Sequence, residues 1–202
     1  MDMMTRRRAM MGAAAGELPE WDFVWEYTDG LPEDNGFIVT KTGTSTVTLE
    51  SGSVRLTAKG GTDSHVTIDY PHDFPKGVLE ADITTGNTTN WYSYFSLSNG
   101  VSNIAVRPQY TSSYKKIYLP NADARADMLE LMGCNSGTSY KIRVVLNGGY
   151  GDVYINDVLR ASSVDISTIK KQNTLTGLVF YAGSTGTYYM YLRSIKMKFN
   201  RI

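Results

Sequence analysis

The run Tyr140-Lys141-Ile142-Arg143-Val144-Val145-Leu146, closed by Asn147-Gly148-Gly149 and followed by Gly151-Asp152-Val153-Tyr154-Ile155, Asn156-Asp157 and Val158-Leu159-Arg160, decides the class of fold. Apolar residues recur at alternate positions, the spacing that gives an extended strand one face for a core. The interruptions hold Gly, Asn and Asp, which tolerate the positive φ that tight turns between strands demand. Strand, turn, strand, tight hairpin and strand therefore follow one another within a short length of chain. Such an order describes antiparallel β-structure.

The same form recurs on either side. Val54, Leu56 and Ala58 alternate with Ser53, Arg55 and Thr57, and Val66, Ile68 and Tyr70 with His65, Thr67 and Asp69. From Gly77 to Thr84, Leu79, Ala81 and Ile83 point to the core and Glu80, Asp82 and Thr84 to the other face. Trp91-Tyr92-Ser93-Tyr94-Phe95-Ser96-Leu97, the turn Ser98-Asn99-Gly100 and Ile104-Ala105-Val106 read as a hairpin. Further strands are expected over 114–119, 175–182 and 188–199. Ala122 to Met132, rich in Ala, Leu, Met and Glu, is either a helix with Gly133 as its C-cap or, from Met128 onward, a sheet edge. Asp165 to Ile169 reads as a single turn capped by Asp165. Short alternating runs separated by turn residues indicate an all-β, two-sheet antiparallel sandwich.

The 202 residues suit one such sandwich. Twenty Lys+Arg balance 20 Asp+Glu, with 42% hydrophobic residues, which excludes wholesale disorder and lacks the basic excess of a polyanion-wrapping domain. Nucleic acid is accordingly not expected as a partner. Cys134 is the single cysteine, so no intrachain disulfide forms, and with only His65 and His72 available no His-rich metal centre is expected. No apolar run approaches the ~20 residues that span a bilayer, so no membrane partner is expected.

Residues 1–16 differ from the rest. Arg6-Arg7-Arg8 precede the apolar stretch Ala9 to Gly16, which at about eight residues, poor in Leu, Ile and Val, is short for the apolar region of a signal peptide. We read 1–16 as a basic arm, either a short helix or a frayed terminus, and 17–202 as the folded domain, opening on the aromatic residues Trp21, Phe23, Trp25 and Tyr27. The three arginines leave the domain itself slightly acidic. They suit an anchor onto an acidic partner surface.

The order Gly52-Ser53-Val54-Arg55-Leu56, Phe74-Pro75-Lys76-Gly77-Val78-Leu79-Glu80-Ala81-Asp82-Ile83, Tyr140-Lys141-Ile142-Arg143-Val144 and Gly151-Asp152-Val153-Tyr154-Ile155-Asn156-Asp157-Val158-Leu159 resembles the concanavalin A-like lectin/glucanase superfamily, its laminin G-like branch in particular. Asp157 stands where that branch usually has Gly. The resemblance covers roughly residues 18–202 and implies a jelly roll whose last strand, with Ile195, Met197 and Phe199, returns to pair near the N-terminus. It also implies carbohydrate as the ligand class. Because laminin G-like domains often hold calcium through loop aspartates, Asp63, Asp69 and Asp73 come into view as ligands, although their spacing is not that of a calcium loop. No cofactor is otherwise expected. The start Met4-Thr5-Arg6-Arg7-Arg8-Ala9-Met10-Met11 resembles the basic N-termini of small virion or tail-associated proteins of bacteriophages of gut bacteria, which implies a place on a particle surface.

Retaining hydrolases of this superfamily are similar in carrying Glu-x-Asp-x-Glu or Glu-x-Asp-x-x-Glu on one strand, the outer pair acting as nucleophile and acid/base. Glu80 and Asp82 match the first two positions, but the third is Thr84 or Thr85, which cannot protonate a leaving oxygen. Enzymatic activity is therefore not expected, and a glycoside hydrolase acting on β-glucans is the alternative. Ser64 and His65 are sequence neighbours on opposite strand faces and cannot act as nucleophile and base.

Glycan surfaces combine aromatic faces with groups that fix hydroxyls. Asn90, Trp91 and Tyr92 with Arg107, Gln109 and Tyr110 across the hairpin supply both, Trp91 being either the stacking platform or a packing residue. Tyr114, Tyr118, Tyr150, Tyr188 and Tyr189 read equally as strand residues or ligand contacts. A lectin-like accessory or virion decoration protein, open to self-association, is the resulting expectation.

Overall fold

The computed structural model describes residues 21–60, 64–72, 76–86, 91–99, 102–111, 115–120, 129–168, 176–182 and 186–199. Arg6, Arg7 and Arg8 of the arm, Asn90, Tyr114, Asp63, Asp73 and the helical reading of Ala122 to Met128 lie outside these residues.

The strands are β1 (Phe23–Glu26), β2 (Ile38–Thr42), β3 (Thr46–Glu50), β4 (Ser53–Lys59), β5 (His65–Asp69), β6 (Lys76–Thr85), β7 (Trp91–Ser98), β8 (Asn103–Tyr110), β9 (Lys115–Leu119), β10 (Leu129–Gly133), β11 (Ser139–Asn147), β12 (Tyr150–Ile155), β13 (Val158–Asp165), β14 (Gly177–Ala182) and β15 (Thr187–Phe199). They form two antiparallel sheets. One runs β13-β12-β11-β6-β15-β4-β3, with β1 also paired to β15; the other runs β10-β9-β8-β7-β14-β5-β2. The all-β sandwich read from the sequence is the observed fold.

Alternation builds the core between the sheets. Leu79, Ala81 and Ile83 of β6, Val54, Leu56 and Ala58 of β4, and Val66 and Ile68 of β5 are all buried. Met190, Leu192, Ile195 and Met197 of β15 pack with them. One end is closed by aromatic rings: Phe23 lies 5.4 Å from Phe37 and 5.3 Å from Tyr70, and Tyr70 lies 5.8 Å from Phe199. The aromatic stretch that opens the domain thus seals it, and β1 pairs with β15 with Phe23 opposite Met197.

Local turn chemistry follows the residues. Asn156 and Asp157 adopt φ of 52° and 62°, the two consecutive positive values of a hairpin turn that continues the strand twist. The Lys141 N–H donates to Asn156 Oδ1 at 2.9 Å, and the Asn156 N–H donates back to the Lys141 carbonyl. Asp165 caps the 3-10 turn Ile166–Thr168, its Oδ1 accepting from the Ser167 N–H at 2.9 Å. Over Leu129 to Met132, the described part of that stretch, the sheet edge is the observed reading. Leu129–Gly133 is a strand, so Gly133 ends β10 rather than capping a helix. β10 is the outermost described strand of its sheet and pairs with β9 through a register shift between Glu130 and Met132.

Cys134 follows β10 into the core, and burial pushes its thiol up to about 12. Since the thiolate is the nucleophile, native protein is expected to resist iodoacetamide and to label once unfolded in urea. Rapid labelling of the native chain would contradict this placement.

Candidate functional site

The predicted hairpin forms: β7 pairs β8 with Trp91 opposite Tyr110 and Tyr92 opposite Gln109. Neighbouring strand residues point to opposite sides, so the five described residues of the candidate cluster divide between two faces. Trp91 is 0% exposed, and its ring packs 6.4 Å from Tyr110 and 6.1 Å from Phe180 on the core side. Of the two readings of Trp91, packing is the observed one, so it leaves the candidate site, and Tyr110, half-buried against the same core, leaves with it. Tyr92, Arg107 and Gln109 lie together on the outward face.

That face gains residues from strands distant in sequence. β14 lies beside β7 with Tyr181 opposite Tyr92, and their rings stack at 4.9 Å and 19°. Tyr94, two residues along β7, meets Tyr181 edge-on at 6.1 Å. His65 on β5 lies 5.0 Å from Tyr181 on its other side, with Nε2 3.4 Å from the Thr42 hydroxyl. On β8, the Arg107 guanidinium sits 4.3 Å from the Tyr92 ring centre, 5.0 Å from Tyr94 and 5.6 Å from Tyr118. Tyr118 of β9 donates its hydroxyl to Gln109 Oε1 at 2.6 Å, fixing the amide. Tyr94 and Tyr118 are 6% and 1% exposed, so they wall the site, whereas Tyr92, Tyr181, Arg107 and Gln109 are half-buried and reach solvent. Burial raises the Tyr94 hydroxyl pKa against the pull of Arg107, so this phenol stays protonated at neutral pH.

Sequence reasoning misses Tyr94 and Tyr181 as members of this face. The signal for Tyr94 lies in the alternation itself, because placing Trp91, Phe95 and Leu97 inward turns Tyr92 and Tyr94 outward. Tyr181 has no local signal, since its pairing with Tyr92 joins strands far apart in the chain.

The strand carrying Glu80 and Asp82 lies in the other sheet. Glu80 Oε2 makes an ion contact of 3.2 Å with Arg143 Nε, and Arg143 also pairs with Asp157. Register places Asp82 beside Lys141 on one side and Ser194 on the other. Thr84 Oγ1 shares a 2.8 Å hydrogen bond with Ser139 Oγ, and Thr85 is buried with its hydroxyl donating to the Asn135 carbonyl. Glu80 is therefore held by a basic neighbour rather than left as a free carboxylate.

Burial raises the Glu80 and Asp82 pKa values, with Arg143 opposing the shift at Glu80 and Arg193 opposing it at Asp82. A carboxyl that is harder to ionise when folded keeps its proton after the unfolded chain has lost it. Its contribution to stability is therefore greatest below the ordinary value of 4.5 for Glu and declines as pH rises through the folded value. Relative to wild type, Glu80→Gln is expected to become progressively more stable from about pH 4 to pH 7, read from urea midpoints. The reverse trend would show that the Arg143 contact outweighs desolvation.

Among the described residues no three His, Cys, Asp or Glu side chains converge as a metal site. Asp69 accepts from the Thr176 N–H at 3.2 Å.

No family model and no curated protein matches the sequence. Solved structures match in fold. A β-glucanase from Bacillus licheniformis superposes with a TM-score of 0.58 at 11% identity over 89% of this chain and 98% of its own. A Bacillus subtilis protein with a galectin-like fold gives 0.58 at 10% identity over 90% and 96%. The carbohydrate-binding module CBM66 from Bacillus subtilis gives 0.53 at 11% identity over 79% and 94%. Against a sialidase, TM-score 0.58 and 14% identity, this chain spans 17% of the other's length. The structural neighbours thus include a galectin-like fold, a carbohydrate-binding module and a β-glucanase, and the jelly-roll sandwich of this chain has their fold.

Proposed function

We propose that this chain is a non-enzymatic, lectin-like domain that binds glycans on the outward face of the seven-stranded sheet. The observation that carries the reading is the stacked Tyr92–Tyr181 pair with Arg107 and Gln109 beside it on one face. The partly exposed rings present apolar edges and hydroxyls to a sugar, and the guanidinium and amide can hold its hydroxyls. The binding-module neighbour supports the same ligand class.

Strands β7, β8, β9 and β14 contain no Asp or Glu, so acid/base hydrolysis has no carboxyl group in the centre of this face. On the eight-stranded sheet, Glu80 and Asp82 lack a third carboxylate in line. The hydrolase reading would need release of reducing ends from β-glucans, abolished in Glu80→Gln.

A glycan array probed with wild type and Tyr181→Ala tests the proposal. Loss of one stacking ring is expected to weaken binding by about 2- to 12-fold, the equivalent of an aromatic contact of roughly 0.5–1.5 kcal/mol. Equal binding by both proteins would move the site elsewhere. We further propose that the domain is displayed on a particle surface, a phage virion among them, through Arg6, Arg7 and Arg8. Removing residues 1–16 is then expected to abolish co-purification with the particle while leaving glycan binding intact.

A further inference from the structure

Resting on the glycan-binding reading, we infer that the ligand carries an anionic group, a carboxylate or sulfate on one sugar, which pairs with Arg107. Among the described residues, Arg55 and Arg143 each hold a carboxylate, Arg55 with Glu50 at 3.1 Å and Arg143 with Glu80 and Asp157. Arg107 has no carboxylate partner among them. Its guanidinium lies against Tyr92, Tyr94 and Tyr118 and hydrogen-bonds the Tyr94 side chain, while its Nε, buried like those of Arg55 and Arg143, has no hydrogen-bond acceptor.

Ring faces attract a cation but accept none of the in-plane N–H groups in the way a carboxylate does. A guanidinium sheltered by three tyrosines and left without a counter-ion is costly to desolvate, and a bound anion removes that cost. The surrounding strands reinforce the bias. With no Asp or Glu in β7, β8, β9 or β14, nothing there repels an incoming anion or competes for the guanidinium. Lys116 at the rim is engaged with Glu130 at 2.7 Å, so Arg107 is the cation that faces the tyrosines. A neutral glycan offers the guanidinium hydroxyl acceptors but no opposite charge.

The experiment is calorimetric titration of the full chain with three matched oligosaccharides: one built of hexuronates, the same oligosaccharide after carboxyl reduction, and a sulfated neutral one. Wild type is expected to bind the hexuronate or the sulfated form at least about tenfold more tightly than the reduced one, the scale of a charge-assisted hydrogen bond. Whichever of the two binds more tightly identifies the source of the charge. Arg107→Gln is expected to erase the preference, so that charged and reduced forms bind alike, and Arg107→Lys to keep a reduced preference. Equal affinity of wild type for charged and reduced forms overturns the inference and leaves the tyrosine face standing as a neutral-sugar site. Absence of binding to all three and across the glycan array overturns both. Because the charged-against-reduced comparison uses wild type alone, it remains decisive if a variant fails to fold.

Discussion

Trp91→Ala is expected to destabilise the domain by about 3–5 kcal/mol, the cost of truncating a buried aromatic to Ala. The ring is fully buried between Tyr110 and Phe180, on the same side of β7 as Phe95 and Leu97. Removing it forfeits both the transfer of apolar surface out of water and the contacts of the cavity lining, which a sandwich held by two hydrogen-bonded sheets cannot close by collapse. Urea unfolding should show a lower midpoint with an unchanged slope. Folded Trp91→Ala protein should still bind glycan, whereas Tyr92→Ala should lose affinity and keep its stability. The pair of variants separates a packing role from a contact role in adjacent residues. A Trp91→Ala protein as stable as wild type would contradict the buried placement.

Gly177→Ala is expected to cost on the order of 3 kcal/mol, combining backbone strain with a steric collision. Gly177 adopts a φ of +147°, and a Cβ added there would stand 2.2 Å from the Ile68 carbonyl oxygen on the neighbouring strand. That oxygen belongs to the β5 backbone, which is paired with β14 on one side and β2 on the other, so it cannot swing away as a side chain would. Gly52 offers the comparison. It has a φ of +90° with nothing within 4 Å of where a Cβ would stand, so Gly52→Ala should cost only the strain, about 1 kcal/mol. A thermal melt of the two variants side by side reads the difference. Equal losses would mean that strain alone accounts for both.

Much of the architecture is legible in the sequence because period-two patterning and turn chemistry are local. The inward set Leu79, Ala81 and Ile83 and the Asn156–Asp157 turn need only their neighbours in sequence to be read. The candidate site is legible in part. In Trp91-Tyr92-Ser93-Tyr94-Phe95 both alternating sets contain aromatic residues, so the pattern shows that Trp91 and Tyr92 oppose each other without showing which faces the core. Partner strands decide that: Trp91 joins Phe180, and Tyr92 joins Tyr181, through the β7–β14 pairing. Local sequence does not encode that pairing. At Leu129 to Gly133, residues with good helix propensity form a strand because β9 offers a free edge. Tertiary pairing outweighs a preference worth tenths of a kcal/mol per residue.

β15 lies between β4 and β6 and also pairs β1, so three early strands wait for one made near residue 199. Each of those pairings closes a loop of more than a hundred residues. At a translation rate of roughly 10 residues per second, β4 and β6 spend on the order of 10 s with open edges before their shared partner is synthesised. Completion of this sheet is therefore a late event in the life of the nascent chain, and the interval before it is when β4 and β6 are most exposed to pairing with other nascent chains or to capture by chaperones.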